Sequence, residues 1–97
     1  MTSHPRLLSP LQLRGQTLRN RIVFGAHTNN MSDLGIPGPR MENYFVERAL
    51  GGAAMIVTEP VPVHRTGVLT RGNLLHSSDE IIPHFQRITD KGNSRIA

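Results

Sequence analysis

Cysteine and tryptophan are both absent from this chain of 97 residues. Without cysteine there is no disulfide scaffold, and a zinc finger built on thiolates is excluded. Aromatic residues are scarce: Phe24, Tyr44, Phe45 and Phe85 are the whole set. Long apolar runs are missing too. The longest, Ala53 to Val57, is five residues, against the roughly 20 that a membrane span requires. The amino terminus, Met1-Thr2-Ser3-His4-Pro5-Arg6, carries no apolar signal core. A cytoplasmic protein with no membrane association is therefore expected.

Positive charge is present but dispersed. Eleven Lys and Arg oppose seven Asp and Glu, for a formal net charge of +4. The arginines run from Arg6 to Arg95 without a cluster. Nucleic-acid binding calls for a basic stripe, often interleaved with stacking aromatics. Neither is seen, so no nucleic-acid partner is expected. Length sets a further bound. A chain this short buries only roughly 60–65% of its unfolded surface, and a complete eight-stranded α/β barrel of about 250 residues does not fit.

Hydrophobic patterning nevertheless points to an α/β chain. Leu11-Gln12-Leu13 and Thr17-Leu18 alternate on either side of Arg14-Gly15-Gln16 and predict a small hairpin. Ile22-Val23-Phe24 is a short continuous apolar strand, of the kind buried on both faces in a parallel sheet. Residues 25–39 are rich in turn formers and read as loop. Over Arg40–Leu50 the period becomes helical, with Met41, Tyr44, Phe45 and Leu50 near one face and Glu42, Glu47 and Arg48 elsewhere. Gly51-Gly52 stops the helix. Ala53–Val57 is a second continuous strand, ending in Thr58, Glu59 and Pro60. A second long loop, residues 60–78, precedes a helix over about 79–90. Ser77 or Ser78 is its candidate N-cap, Pro83 must lie in its first turn, and Ile81, Phe85 and Ile88 share its apolar face. Lys91-Gly92-Asn93-Ser94 should break it, leaving Arg95-Ile96-Ala97 to begin a third strand.

The order is hairpin, β-α-β-α and the start of another strand. Such alternation implies right-handed crossovers and a parallel sheet. The two strands begin about 32 residues apart, at Arg21 and Ala53. An eight-unit barrel of about 250 residues repeats every 31 or so. The expected architecture is the N-terminal portion of a (β/α)8 TIM barrel, stopping before barrel closure. Its parts are a hairpin plug over about 8–19, a first unit over about 21–51 and a second over about 53–91.

In parallel α/β folds ligands collect at the carboxyl ends of the strands. Here those ends are Gly25-Ala26-His27-Thr28 and Thr58-Glu59-Pro60. Small Gly25 and Ala26 admit a flat ligand close to the backbone. His27 is a candidate hydrogen-bond donor or general acid, and an ordinary loop histidine is the alternative. For Glu59 a loop-orienting role is favoured over a catalytic one. His27, His64 and His76 lack metal-ligand spacing, so no metal is expected. There is no G-x-G-x-x-G, no G-x-x-x-x-G-K and no nucleophile elbow.

Leu7-Leu8-Ser9-Pro10-Leu11 followed by Leu18-Arg19-Asn20-Arg21-Ile22-Val23 resembles the opening of the old yellow enzyme family of FMN-dependent NADH:flavin oxidoreductases. Tyr44–Gly52 resembles that family's "Y-x-x-R-A-x-G-G", and Met55-Ile56-Val57-Thr58-Glu59 matches its second strand. The resemblance extends over roughly residues 6–90. Ala26-His27 is similar to the branch holding 2,4-dienoyl-CoA reductase and trimethylamine dehydrogenase.

The resemblance implies a TIM barrel with FMN across its carboxyl mouth. It also implies NADH or NADPH as reductant and a small activated alkene or related molecule as acceptor. Gly25, Ala26, His27, Thr28 and Pro60 fall where that family lines the flavin. Thr28 stands where some relatives carry a cysteine that links flavin covalently, so that link is excluded here. Pro60 has no N–H to donate. Relatives continue into a third strand carrying "Q-L-x-H-x-G-R", whereas here Lys91–Ala97 follow Asp90 directly. By this resemblance the chain is expected to be an incomplete piece of an oxidoreductase, inactive alone. The alternative is a small non-catalytic half-barrel module that self-associates, or complements a partner, through its exposed sheet edge.

Overall fold

A computed structural model of the chain describes residues 4–68, 72–74 and 79–96, the last three by backbone alone. Strands β1 (Leu11–Leu13) and β2 (Gln16–Leu18) form an antiparallel hairpin, with Leu11 opposite Leu18 and Leu13 opposite Gln16. Strand β3 (Val23–Phe24) follows, then helix α1 (Pro39–Leu50), strand β4 (Met55–Ile56) and helix α2 (Ile82–Ile96). β3 and β4 pair in parallel, Val23 with Met55 and Phe24 with Ile56. Ala54 N–H donates to the Ile22 carbonyl and Val57 N–H to the Phe24 carbonyl, which continues the ladder at both ends. The expected hairpin, parallel pair and intervening helix are all present.

Pro39 opens α1, where its missing N–H loses no helical bond. Residues 41, 45 and 49 make one stripe at spacings of four, and Met41, Phe45 and Ala49 are buried on it. Leu50 does not belong to that stripe. It lies about 100° around the helix from Ala49 and is exposed. Helix α2 presents Ile88 and the half-buried Phe85 to the same core, with Ile81 just ahead of it. Leu74, from the second long loop, completes the buried cluster with Met41, Phe45 and Ile88.

The turn from α1 into β4 is held by the segment between β2 and β3. Arg19 Nη2 donates to the Ala49 carbonyl at 2.5 Å and to the Ala53 carbonyl at 2.9 Å. Asn20 Nδ2 donates to the Gly52 carbonyl at 2.7 Å, while its Oδ1 accepts from Ile22 N–H at 2.9 Å. Helix ends leave carbonyls without intrahelical donors, and one cation and one amide serve this end. A guanidinium also suits the negative pole of the helix dipole.

Three expectations are corrected. Arg95 and Ile96 are helical, because α2 runs on through Lys91-Gly92-Asn93 instead of breaking there. A lone glycine in a helix costs only about 1 kcal/mol, and packing against α1 offsets that. Glu42, expected on the solvated side, is buried. It accepts from Arg87 Nε at 2.8 Å and Lys91 Nζ at 3.3 Å, both on α2. The strands are not buried on both faces. Val23 is 50% exposed and Met55 41%, since both helices lie on the opposite side of the sheet. The N-cap candidates Ser77 and Ser78 lie outside the described residues, whereas Pro83 sits in the first turn of α2 as expected.

Two substitutions test the joints of this fold. Arg19→Ala should lower unfolding stability by about 1–3 kcal/mol, the cost of leaving partly buried carbonyls unserved, read as a lower urea midpoint. At Glu42, burial alone raises the carboxyl pKa, but hydrogen bonds and charge from Arg87 and Lys91 hold it below its ordinary value. A depressed acid stabilises the fold above its unfolded pKa, and that stability is lost as pH falls through the folded one. Glu42→Gln should therefore cost about 1.5–3 kcal/mol at pH 7, toward the lower end because both cations are half-exposed. The difference should shrink in melts as pH falls below the ordinary carboxyl range.

Candidate functional site at the strand ends

Parallel pairing sets the carboxyl ends of β3 and β4 side by side. The segment after β3 is Gly25-Ala26-His27-Thr28, and all four residues are exposed. The segment after β4 begins with Thr58, buried Glu59 and exposed Pro60. All five expected site residues therefore lie at one end of one sheet. A Cβ built on Gly25 would meet nothing within 4 Å, so the backbone there is open to a flat group.

His27 is turned toward α1. Its Nε2 lies 2.9 Å from Tyr44 Oη. The ring stands edge-on to Phe24 with centroids 5.3 Å apart. Arg48, one turn further along α1, places its guanidinium carbon 3.8 Å from the Tyr44 ring centroid, a cation–π stack. The imidazole is thus pinned by an aromatic and a phenol, which suits a positioned hydrogen-bonding group. Sequence reading placed Tyr44 on the apolar face, and it does pack against the core; its hydroxyl contact with His27 was not foreseen.

Glu59 is 3% exposed, and neither carboxylate oxygen reaches hydrogen-bond geometry. Desolvation by burial raises its pKa. The backbone N–H and side-chain amide of Asn29 lie toward it and, with the charge of His27, oppose the rise. Burial prevails. Asn29 is itself held, its Oδ1 accepting from Met31 N–H at 3.0 Å. Glu59 and Asn29 thus lie near one another at the strand ends.

Two tight features shape the loop beyond. Asp33 and Ile36 exchange backbone hydrogen bonds around Leu34-Gly35, both left-handed at φ 52° and 87°. Further out, the Gly72 backbone rests against Asn30, where an added Cβ would lie 2.5 Å from the Asn30 Cα and carbonyl oxygen. Ser32 Oγ donates to the Asn73 carbonyl at 2.9 Å, so the two long loops are stitched together. His64 is exposed and caps a single 3-10 turn, Arg65–Gly67, accepting from Thr66 N–H. His76 lies outside the described residues. Among the described residues no three acidic or histidine side chains gather as a metal site, and no helix is long and apolar enough to cross a membrane.

A partial parallel barrel with an open strand-end site defines the class, and sequence comparison supplies the family. Residues 6–94 match the NADH:flavin oxidoreductase / NADH oxidase family; the chain belongs to that family. It is 42% identical over 85 residues to a probable N-methylproline demethylase of Rhizobium meliloti (strain 1021), covering 87% of this chain and 12% of the relative. The structure of the old yellow enzyme from Trypanosoma cruzi superposes with a TM-score of 0.84 at 29% identity, over 97% of this chain and 25% of that one. A 2-naphthoyl-CoA reductase complex superposes with a TM-score of 0.91 at 24% identity, over 97% of this chain and 14% of that one. The chain thus spans a quarter or less of the length of these relatives. Its elements are the opening units of their barrels.

The sign of the Glu59 shift is testable. An acid whose folded pKa is raised destabilises the fold once it ionises, and the penalty grows as pH climbs from the unfolded to the folded pKa. Glu59→Gln should raise stability at pH 7 by about 1 kcal/mol or more, because the amide carries no charge for burial to disfavour. Below about pH 4, where both forms are neutral, the variant and the parent should melt together. Equal stability at pH 7 would mean that Glu59 has a partner.

Proposed function

We propose that this chain supplies part of an FMN bed in an oxidoreductase that reduces a small-molecule acceptor with electrons from NADH or NADPH. The observation that carries this reading is the juxtaposition of Gly25–Thr28 with Pro60 at the carboxyl edge of the parallel pair. The open backbone at Gly25 and Ala26 suits the face of an isoalloxazine ring. The Thr28 hydroxyl is exposed beside it and suits a carbonyl of the flavin edge. His27, braced by Tyr44, would border the same surface as a positioned hydrogen-bonding group. Pro60 lends shape and no N–H. When bound, the flavin supplies reversible hydride storage, and the protein's part is to place it and tune its electrostatics.

The related proteins act on differing molecules, an N-methylated proline in one name and an aryl-CoA thioester in another. The shared chemistry is flavin-borne hydride transfer, and we assign this chain's bed to that chemistry without naming its acceptor.

The same geometry limits what 97 residues do alone. Barrel members of this class build a phosphate grip after strands 7 and 8, and this chain contains two parallel strands among its described residues. The isolated chain should therefore bind FMN weakly, with a dissociation constant at or above about 100 μM by fluorescence quenching. Purification with stoichiometric yellow flavin would overturn that expectation.

A further inference from the structure

We infer that Tyr44, backed by Arg48, is a positioning residue for the strand-end segment. Its hydroxyl donates to His27 Nε2, fixes the imidazole as the Nδ1–H tautomer and so latches Gly25–Thr28 to α1. Tyr44 Oη lies 2.9 Å from His27 Nε2, and two arrangements satisfy that contact. Either the phenol donates and the proton of the neutral ring sits on Nδ1, or Nε2–H donates and the phenol accepts. The hydrogen bond made at one ring nitrogen decides where the proton sits. Among the described residues, Tyr44 is the partner that makes this choice. Glu59 lies near the imidazole, but neither of its oxygens takes a hydrogen bond from it.

The surroundings of the phenol favour donation. Arg48 follows Tyr44 by one helical turn and holds its guanidinium carbon 3.8 Å from the Tyr44 ring centroid. A cation over a ring is attracted to its negative face and draws electron density toward itself. The phenol O–H becomes the stronger donor and its oxygen the weaker acceptor. Arg48 is kept in place from two sides. Its guanidinium carbon also lies 5.7 Å from the Phe24 ring centroid, and its Nη1 donates to the Tyr44 carbonyl at 3.5 Å.

The cluster ties the exit of β3 to the helix that follows it. Phe24 is the last residue of β3 and stands edge-on to both His27 and Tyr44, with centroids 5.3 and 6.1 Å away. Gly25 and Ala26 carry no side chain able to anchor the segment, and both are exposed. Among the described residues, His27 is the member of Gly25–Thr28 whose side chain bonds to another element of the fold. The placement of the segment therefore rests on that one bond. It holds the backbone from which the exposed Thr28 is offered.

The latch deepens the proposed function, on which the meaning of Gly25–Thr28 as a flavin bed rests, but its test needs no flavin. The nitrogen-labelled chain is studied by NMR at about pH 8, above the ordinary histidine range. His27 is assigned from the ring signals lost in His27→Gln. It should carry its proton on Nδ1, whereas a free neutral imidazole in water prefers Nε2. Tyr44 is the only tyrosine, so no other phenol replaces it in Tyr44→Phe, which keeps a ring beneath Arg48. In that variant the ratio of the Nδ1–H to the Nε2–H form should fall about tenfold, the equilibrium worth of one hydrogen bond. The amide signals of Gly25–Thr28 should shift with it, while those of the hairpin stay in place. Arg48→Gln should lower the same ratio about threefold through loss of the ring contact. A His27 protonated on Nε2 in the parent overturns the inference, whether or not the variants fold. So do a ratio that either variant leaves unchanged, and Gly25–Thr28 amides that keep their parent positions in Tyr44→Phe. FMN is then added to the parent: FMN-induced shifts that spare Gly25–Thr28 remove the proposed function and leave the latch standing.

Discussion

The contact of Arg19 and Asn20 with the α1–β4 turn is the constraint on which the rest of this structure depends. Parallel pairing requires the chain to leave β3, cross over and return beside it in register. The crossover ends at Ala49–Ala53, where helical carbonyls lose their donors. Arg19 and Asn20 bond three carbonyls of this turn, those of Ala49, Gly52 and Ala53, and Asn20 also accepts from Ile22 just before β3. One dipeptide thereby ties the beginning of the first unit to the beginning of the second. The register Val23–Met55 and Phe24–Ile56 follows, and with it the adjacency of the two strand ends.

That adjacency is what gives the candidate site its content. Gly25–Thr28 and Pro60 are separated by a helix in sequence and meet only because the strands are parallel and level. Close by, Glu59 and the Asn29 side-chain nitrogen are buried without a hydrogen-bond partner. Buried polar groups left partly served are costly, and such cost tends to collect where a fold serves function. Glu42 shows the opposite balance. Equally buried, it has two cations within reach, and its charge locks α1 to α2.

Much of this was legible beforehand. Alternation around Arg14-Gly15, the apolar runs at 22–24 and 53–57, and Gly51-Gly52 closing a helical period each express a local preference that the structure keeps. The family motifs at Leu18–Val23 and Tyr44–Gly52 were visible as strings. Their physical meaning was not, because Asn20 and Gly52 touch only through the crossover. Glu42 read as solvent-facing for the same reason, since a charge looks buried only once its counter-ions on another helix are in place. The end of α2 was misjudged because Gly92 was weighed as a breaker. Its modest penalty is readily outweighed by neighbouring contacts.

The sequence by itself determined the element types, the order of units, the excluded chemistries and the residues at each strand's carboxyl end, because these depend on local periodicity and residue type. Only the tertiary structure decided which side chains meet. It turned His27 onto Tyr44, buried Glu59 beside Asn29, set Arg87 and Lys91 on Glu42, and left Val23, Met55 and Val57 uncovered. Such contacts join residues far apart along the chain, and no local preference encodes the distance at which they come together.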